Sequence, residues 1–267
     1  ESIAYSWEFL TSEQWLALDP AKLSVTVFAG DQNAPRDDES AARWRELGVP
    51  EDRVAYLPAS DNWWAAGPTG PCGPDTEIFY WTGPGLPPAG SNKGTDSANW
   101  MEIWNNVFME YNRVDEHTLV KFPKQNVDTG MGLERTIAVL NGAASVYLTD
   151  SFKPILDAIG TVAGVTYGSD SARDTSMRIV ADHVRSATMI LGDQRGPSPG
   201  NVGAGYVLRR LIRRAVRHGR KLGIEQAFLG TPAAVVVDLL SGAYPELKDN
   251  RTRIMDELAR EEAKFLE

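Results

Sequence analysis

The chain has 267 residues, 42% of them hydrophobic, with 36 acidic and 27 basic side chains and a net charge of −9. That is enough for one large or two modest domains, and too acidic for a general nucleic-acid coat, although a local basic face stays open. No run of about 18 apolar residues occurs, so no membrane span is expected, and the sole cysteine, Cys72, excludes an internal disulfide and fits a reducing cytosol.

Residues 1 to about 18 predict two helical pieces, with Thr11 and Gln14 spaced for a capping box between them. "KLSVTVFAG" alternates polar and apolar residues and predicts a strand; "DDESAARWRELGV" predicts a polar helix ended by Gly48; "RVAYLP" predicts a short strand. "TGPCGP" is punctuated as a turn. "DTEIFYWTG" and "NWMEIWNNVFMEYNRV" predict long strands joined by a flexible loop, and "LVKFPKQNV" predicts a strand leading into Asp128. After about Asn141 strand signals nearly vanish. "DSFKPILDAIGTVAG", "MRIVADHVRSATMIL", "GYVLRRLIRRAVRHGRKLG" and "PAAVVVDLLSGA" all predict helices. The layout is therefore α+β: an antiparallel-sheet half over 1–141, then an all-helical half over 142–267. Both ends, "ESIAYSWEFL" and "IMDELAREEAKFLE", read as helices under way, as in cuts through a longer protein.

Four stretches carry chemistry. In "VDTGMGLERTIAVL", Gly130 and Gly132 permit close backbone approach, and Arg135 falls in the first turn of a helix. A helix N-terminus and a guanidinium fork both suit phosphate; the other reading is a strand-to-helix turn whose arginine pairs with an acid. In "NWMEIWNNVFMEYNR", simple alternation sets Glu102, Trp104, Asn106 and Phe108 on one face and Ile103, Asn105, Val107 and Met109 on the other. Asn105 then projects among apolar neighbours and needs a partner, either a core backbone group or a ligand. Trp63 and Trp64 precede the glycine-rich stretch, one free to pack in the core and the other to face a cleft. Between Gly205 and Lys221 lie Arg209, Arg210, Arg213, Arg214, Arg217 and Arg220 with no acid, over a stripe of Val207, Leu208, Leu211, Ile212 and Ala215. RNA phosphates are one partner for such a face, and acids elsewhere in the chain are another. His117, His183 and His218 form no pair at metal-ligand spacing.

Taken together, "SDNWW", "TGPCGPDTEI", "EIWNNVFMEYNR", "VDTGMGLER", "RIVADHVRS" and "GYVLRRLIRRAVRHGRKLG" resemble the alanyl-tRNA synthetases, a family of class II aminoacyl-tRNA synthetases, in the family's order and over essentially the whole chain. "DTGMGLER" looks like class II motif 3. The resemblance implies that Arg135 grips ATP phosphate, that Asp128 binds the α-amino group of alanine, and that Trp64, Asn105, Val107 and Gly130 line the alanine pocket. Glu102 is implied as a magnesium neighbour. Asn201, ahead of "GAGYVLRR", is implied to approach the tRNA acceptor stem, with the arginines of the basic helix on its phosphates. Asp75 stands where the family often has a second cysteine, a departure expected to touch none of these residues; "YLTD" replaces the family's frequent "YDTD".

The expected activity is ATP-dependent attachment of alanine to tRNA(Ala) through an alanyl-adenylate, in the cytoplasm, with ATP and Mg2+ and no covalent protein nucleophile. Zn2+ is expected only in an editing domain outside this chain. Motifs 1 and 2 are also expected outside it, so residues 1–267 alone are expected to be inactive. The alternative is a catalytically inactive paralogue acting as an RNA-binding module.

Overall fold

The computed structural model describes residues 1–116 and 118–266, so His117 and Glu267 lie outside the described residues. The chain divides into two compact units, Glu1–Val146 and Tyr147–Glu267.

The first unit is built on eight strands among the described residues: β1 (Leu23–Phe28), β2 (Val54–Leu57), β3 (Trp63–Ala65), β4 (Gly70–Trp81), β5 (Trp100–Phe108), β6 (Tyr111–Arg113), β7 (Leu119–Lys121) and β8 (Val127–Met131). The sheet runs β2-β1-β4-β5-β8, with β3 and β6 on the first half of β4 and β7 on β6. It is mixed rather than antiparallel throughout. β1 and β2 are parallel, because helix α2 (Asp38–Glu46) supplies the crossover that a parallel pair requires. Helix α1 (Ser2–Thr11), α2 and the sheet enclose a core containing Ile3, Leu10, Val25, Trp44, Ile78 and Ile103. The short α3 (Ala59–Asn62) precedes β3, and α4 (Leu133–Leu140) follows β8. In the core, the indole of Trp44 donates to Thr76 Oγ1 at 2.8 Å, which satisfies its one polar atom there.

Three expectations are corrected here. No second helical piece follows α1: the Thr11 hydroxyl donates back to Trp7 O within the helix, and Gln14 N donates to Ser12 Oγ in a turn. "TGPCGP" is the first half of the longest strand, not a turn. Its Gly73 is required because a Cβ there would run into the carbonyl oxygen of Phe108. The stretch from Trp100 to Arg113 is two strands, broken where Met109 N leaves the ladder to donate to Asn126 O at 2.9 Å. The loop from 82 to 99 is pinned by several contacts. Arg53 donates to Ser91 O and to Pro87 O, and Trp100 Nε1 donates to Ser91 Oγ at 3.1 Å.

The second unit contains α5 (Lys153–Ala163), α6 (Ser171–Gly192), α7 (Gly203–Lys221), α8 (Gly230–Leu240), the short α9 (Glu246–Asp249) and α10 (Arg251–Leu266). Leu208, Ile212, Ala215 and Val216 of α7 pack against Val180 and Val184 of α6 and Ile254 and Leu258 of α10 in one core. Val207, expected in the buried stripe, is 54% exposed; Val216 takes its place because the stripe follows the helical repeat through 208, 212, 215 and 216.

Candidate active site

The site is laid out by the registers of β4, β5 and β8. β4 and β5 pair as Asp75↔Val107, Glu77↔Asn105 and Ile78↔Trp104, and then Phe79 faces Glu102, leaving Ile103 unpaired in a bulge. β5 and β8 pair as Asn105↔Gly130 and Val107↔Asp128. Residues opposite one another point to the same side of a sheet. One face therefore carries a row of Asp75, Val107 and Asp128, a second row of Glu77, Asn105 and Gly130, and, past the bulge, Phe79 with Glu102.

The bulge overturns two expectations. Unbroken alternation groups Glu102 with Trp104 and Asn106; the extra residue returns Glu102 to the face of Asn105 and Val107 and tucks Ile103 into the core. The buried amide is Asn106, fully enclosed and donating to Ser6 Oγ of α1 at 3.2 Å, whereas Asn105 is only half-buried. Asn105 keeps its place beside Gly130, where a Cβ would stand 3.5 Å from the Asn105 amide oxygen. Val107 is buried between two acids, and Asp128 is exposed on β8.

Arg135 lies in the first turn of α4 (Leu133–Leu140) and folds back over Gly132, where a Cβ would stand 3.2 Å from Arg135 Cδ. Its Nη1 donates to Glu102 Oε2 at 2.7 Å and to Glu102 O at 3.3 Å. The arginine thus pairs with an acid, and that acid is the other residue singled out for phosphate chemistry. Trp63 is half-buried, its ring 5.4 Å from Phe28 and 5.9 Å from Tyr111. Trp64 sits opposite Gly73, two residues before Asp75 on β4, and so shares the side of the two rows.

Two acids of this face escaped the sequence reading as site residues. Asp75 is 5% exposed, receives a 2.9 Å hydrogen bond from Asn62 Nδ2, and stands opposite Val107, so the departure at this position does adjoin one of the residues named for the site. Burial pushes its pKa up to about 6, against the opposing effect of the Asn62 bond. Burial, then the charges of Glu102 and Asp75, raise Glu77 to about 8, with Lys93 pulling the other way. The signal was present: "DTEIFYWTG", read as a strand, already puts Asp75 and Glu77 on one face, but only the pairing with β5 sets that face beside Val107 and Asn105. Glu77, Phe79, Lys93, Trp100, Glu102 and Arg135 line an open groove of ≈ 570 Å³. Magnesium is commonly held by one or two carboxylates together with waters and substrate phosphates; Glu77 and Glu102 are a donor set of that kind. Among the described residues no group of three or more His, Cys, Asp or Glu forms a metal cage.

In the second unit, the basic helix splits into two groups. Arg209 and Arg213 both reach Glu261 of α10, Nε to Oε1 at 3.1 and 2.7 Å, and Glu261 is 3% exposed. Arg209 also donates to Asn201 Oδ1. These two arginines therefore serve an internal acid, as one reading of the sequence allowed, while Arg210, Arg214 and Arg217 are exposed. His183 is buried with Nδ1 3.0 Å from Asp182, and His218 Nδ1 lies 3.2 Å from Ser176 Oγ.

The profile of the family described as tRNA synthetases class II (A) matches residues 1–267. A protein named alanine–tRNA ligase from Treponema pallidum is 53% identical over 270 residues, covering 100% of this chain and 44% of that protein. One of the same name from Treponema denticola is 55% identical over 258 residues, covering 96% and 43%. A third, from an Anaeromyxobacter species, is 45% identical over 273 residues, covering 99% and 30%. The chain spans less than half the length of these relatives.

Proposed function

Because the chain belongs to the class II tRNA synthetases (A), we propose that it carries part of the aminoacylation machinery of an alanine-specific ligase, which joins alanine to tRNA(Ala) through an alanyl-adenylate. The observation that carries this reading is the pair of rows on the open sheet face. They offer a carboxylate, Asp128, beside a small apolar floor, Val107, next to a backbone without a side chain, Gly130.

In this reading the alanine ammonium meets Asp128, its methyl group rests between Val107 and Gly130 with Trp64 as a wall, and Asn105 holds a polar edge of the substrate. The alanine carboxylate attacks the α-phosphorus of ATP and pyrophosphate departs; the 3′-terminal ribose hydroxyl of tRNA then attacks the activated carbonyl carbon and AMP departs. The protein's part is positioning and charge stabilisation. Arg135 has donors beyond the Nη1 engaged with Glu102, and a planar fork suits phosphate oxygens. Magnesium, held by Glu102 and Glu77 with the phosphates, would supply further neutralisation of charge there. Arg210, Arg214 and Arg217 serve tRNA phosphates, and Asn201 serves discrimination at the acceptor stem. The setting is the cytoplasm; no described helix is long and apolar enough to cross a membrane.

The test is alanine-dependent ATP–pyrophosphate exchange by this chain joined to an upstream segment carrying motifs 1 and 2. Exchange is expected there, and none from residues 1–267 alone. Exchange by the bare chain at a similar rate contradicts the view of it as an incomplete catalytic core. Binding of tRNA without exchange by the joined polypeptide favours the inactive paralogue.

A further inference from the structure

Lys93 belongs to none of the sequence motifs, yet it is held in the groove by a turn with defined geometry. Asn92 Oδ1 accepts from Gly94 N at 2.9 Å and Thr95 N at 3.2 Å, and Asn92 N donates to Thr95 Oγ1 at 2.9 Å. The turn is tied down from outside: Asn92 Nδ2 donates to Asp52 O at 3.0 Å, and Gly90 N donates to Asp52 Oδ2 at 2.9 Å. A lysine on an exposed loop tip is ordinarily free to wander in water. Here Nζ sits 5.1 Å from the ring centroid of Phe79 and donates to Ser97 O at 3.2 Å. The aromatic face and a carbonyl hold the ammonium, and two of its three donors stay available for another acceptor.

Phe79 stands opposite Glu102 across the β4–β5 ladder, and Glu102 carries Arg135. Neighbouring strands are about 4.8 Å apart. Lys93 and Arg135 thus bring two cations over one row of the sheet, from two different segments of the chain, and both line the same groove. The charge of Arg135 is partly answered by Glu102. Lys93, by contrast, is held by an aromatic face and a neutral carbonyl.

We propose that Lys93 is a second phosphate-binding cation of the nucleotide site, gripping the triphosphate of ATP from the β4 side while Arg135 grips it from the β5 side. This rests on the ATP reading given above. A charge-assisted hydrogen bond to phosphate predicts that Lys93→Ala weakens ATP binding roughly 10-fold or more. Lys93→Arg restores part of it. Adenosine, which has no phosphate, binds both variants as it binds the wild type, and so does alanine.

The experiment is calorimetric titration of ATP, adenosine and alanine, with magnesium present, into the wild type, Lys93→Ala, Lys93→Gln, Lys93→Arg and Arg135→Ala. Thermal melting checks each fold, and Lys93→Gln stands in should the alanine variant unfold. Loss confined to ATP in the Lys93→Ala or Lys93→Gln variant supports the proposal. If Arg135→Ala weakens ATP while neutral substitutions at Lys93 leave it within about twofold, the Lys93 assignment is overturned and the ATP site stands. Equal loss of adenosine and ATP makes Lys93 a packing residue and overturns it as well. A wild type that takes up no ATP overturns both the assignment and the nucleotide reading.

Discussion

Gly130→Ala separates function from folding at one atom. The residue is in extended backbone on β8, and its φ is not among the positive values of this chain. A Cβ there meets only the Asn105 amide oxygen, at 3.5 Å, an ordinary contact. Folding should therefore tolerate it and gain about 0.4–1 kcal/mol from the smaller entropy of the unfolded chain. The added methyl group, however, projects onto the row of Glu77 and Asn105, where the side chain of bound alanine is held to lie. Displacing one methyl-sized group from a tight pocket costs about 1–3 kcal/mol, so the alanine dissociation constant should rise about 10–200-fold. Glycine, with no side chain to displace, should lose less. Calorimetric titration of alanine and glycine reads the first effect and thermal melting the second, with a melting point unchanged or a few degrees higher. Gly73→Ala is the control with the opposite signature, since its Cβ would overlap the Phe108 carbonyl oxygen and lower the melting point. Unchanged alanine affinity in a well-folded Gly130→Ala protein refutes the pocket.

Asp128→Asn should weaken alanine about tenfold or more, the loss expected for a charge-assisted hydrogen bond, with ATP binding unchanged; equal alanine affinity removes Asp128 from the pocket. Arg135→Ala should leave the melting point nearly unchanged, since the Glu102 pair it breaks is half-exposed, yet weaken ATP binding; Arg135→Lys should recover only part. Reversing charge at Arg210, Arg214 and Arg217 should weaken every tRNA alike and flatten the salt dependence, whereas Asn201→Ala should lose discrimination between cognate and non-cognate acceptor stems. Equal losses for both tRNAs on changing Asn201 would falsify its reading role. Asp75 and Glu77 have folded pKa values raised to about 6 and about 8, so the folded state holds protons that the unfolded chain releases from about pH 4 upward. Their contribution to stability is complete below that pH and is lost as pH climbs through 6 and 8. Urea midpoints at pH 5, 6.5 and 8 should fall in that order, and Glu77→Gln should flatten the upper part of the decline.

Local pattern singled out residues whose chemistry is unusual for their position, an arginine after paired glycines and an asparagine in an apolar strand, but left each open between an internal partner and a ligand. The structure pairs Arg135 with Glu102 and sets Asn105 beside Gly130 on the face of Val107. What was not legible depends on pairing. The bulge at Ile103 decides which side Glu102 faces, and alternation within one strand contains no trace of it, since the extra residue is defined only against β4. The strand at Gly70–Cys72 was hidden by residues that usually break strands. Only the close approach of the Phe108 carbonyl explains Gly73. Glu261 lies 48 residues from Arg213, and no local pattern links the buried acid to the basic helix it neutralises.

The most direct test of the account is the binding of a non-hydrolysable alanyl-adenylate analogue, the alanyl sulfamate of adenosine, because it engages the amino-acid and nucleotide halves of the site at once. Saturable binding that alanine and ATP each displace, and that Asp128→Asn and Arg135→Ala each weaken, is the predicted result. Binding that ignores both substitutions, or no binding while alanine alone is taken up, contradicts the assignment of this sheet face to adenylate formation.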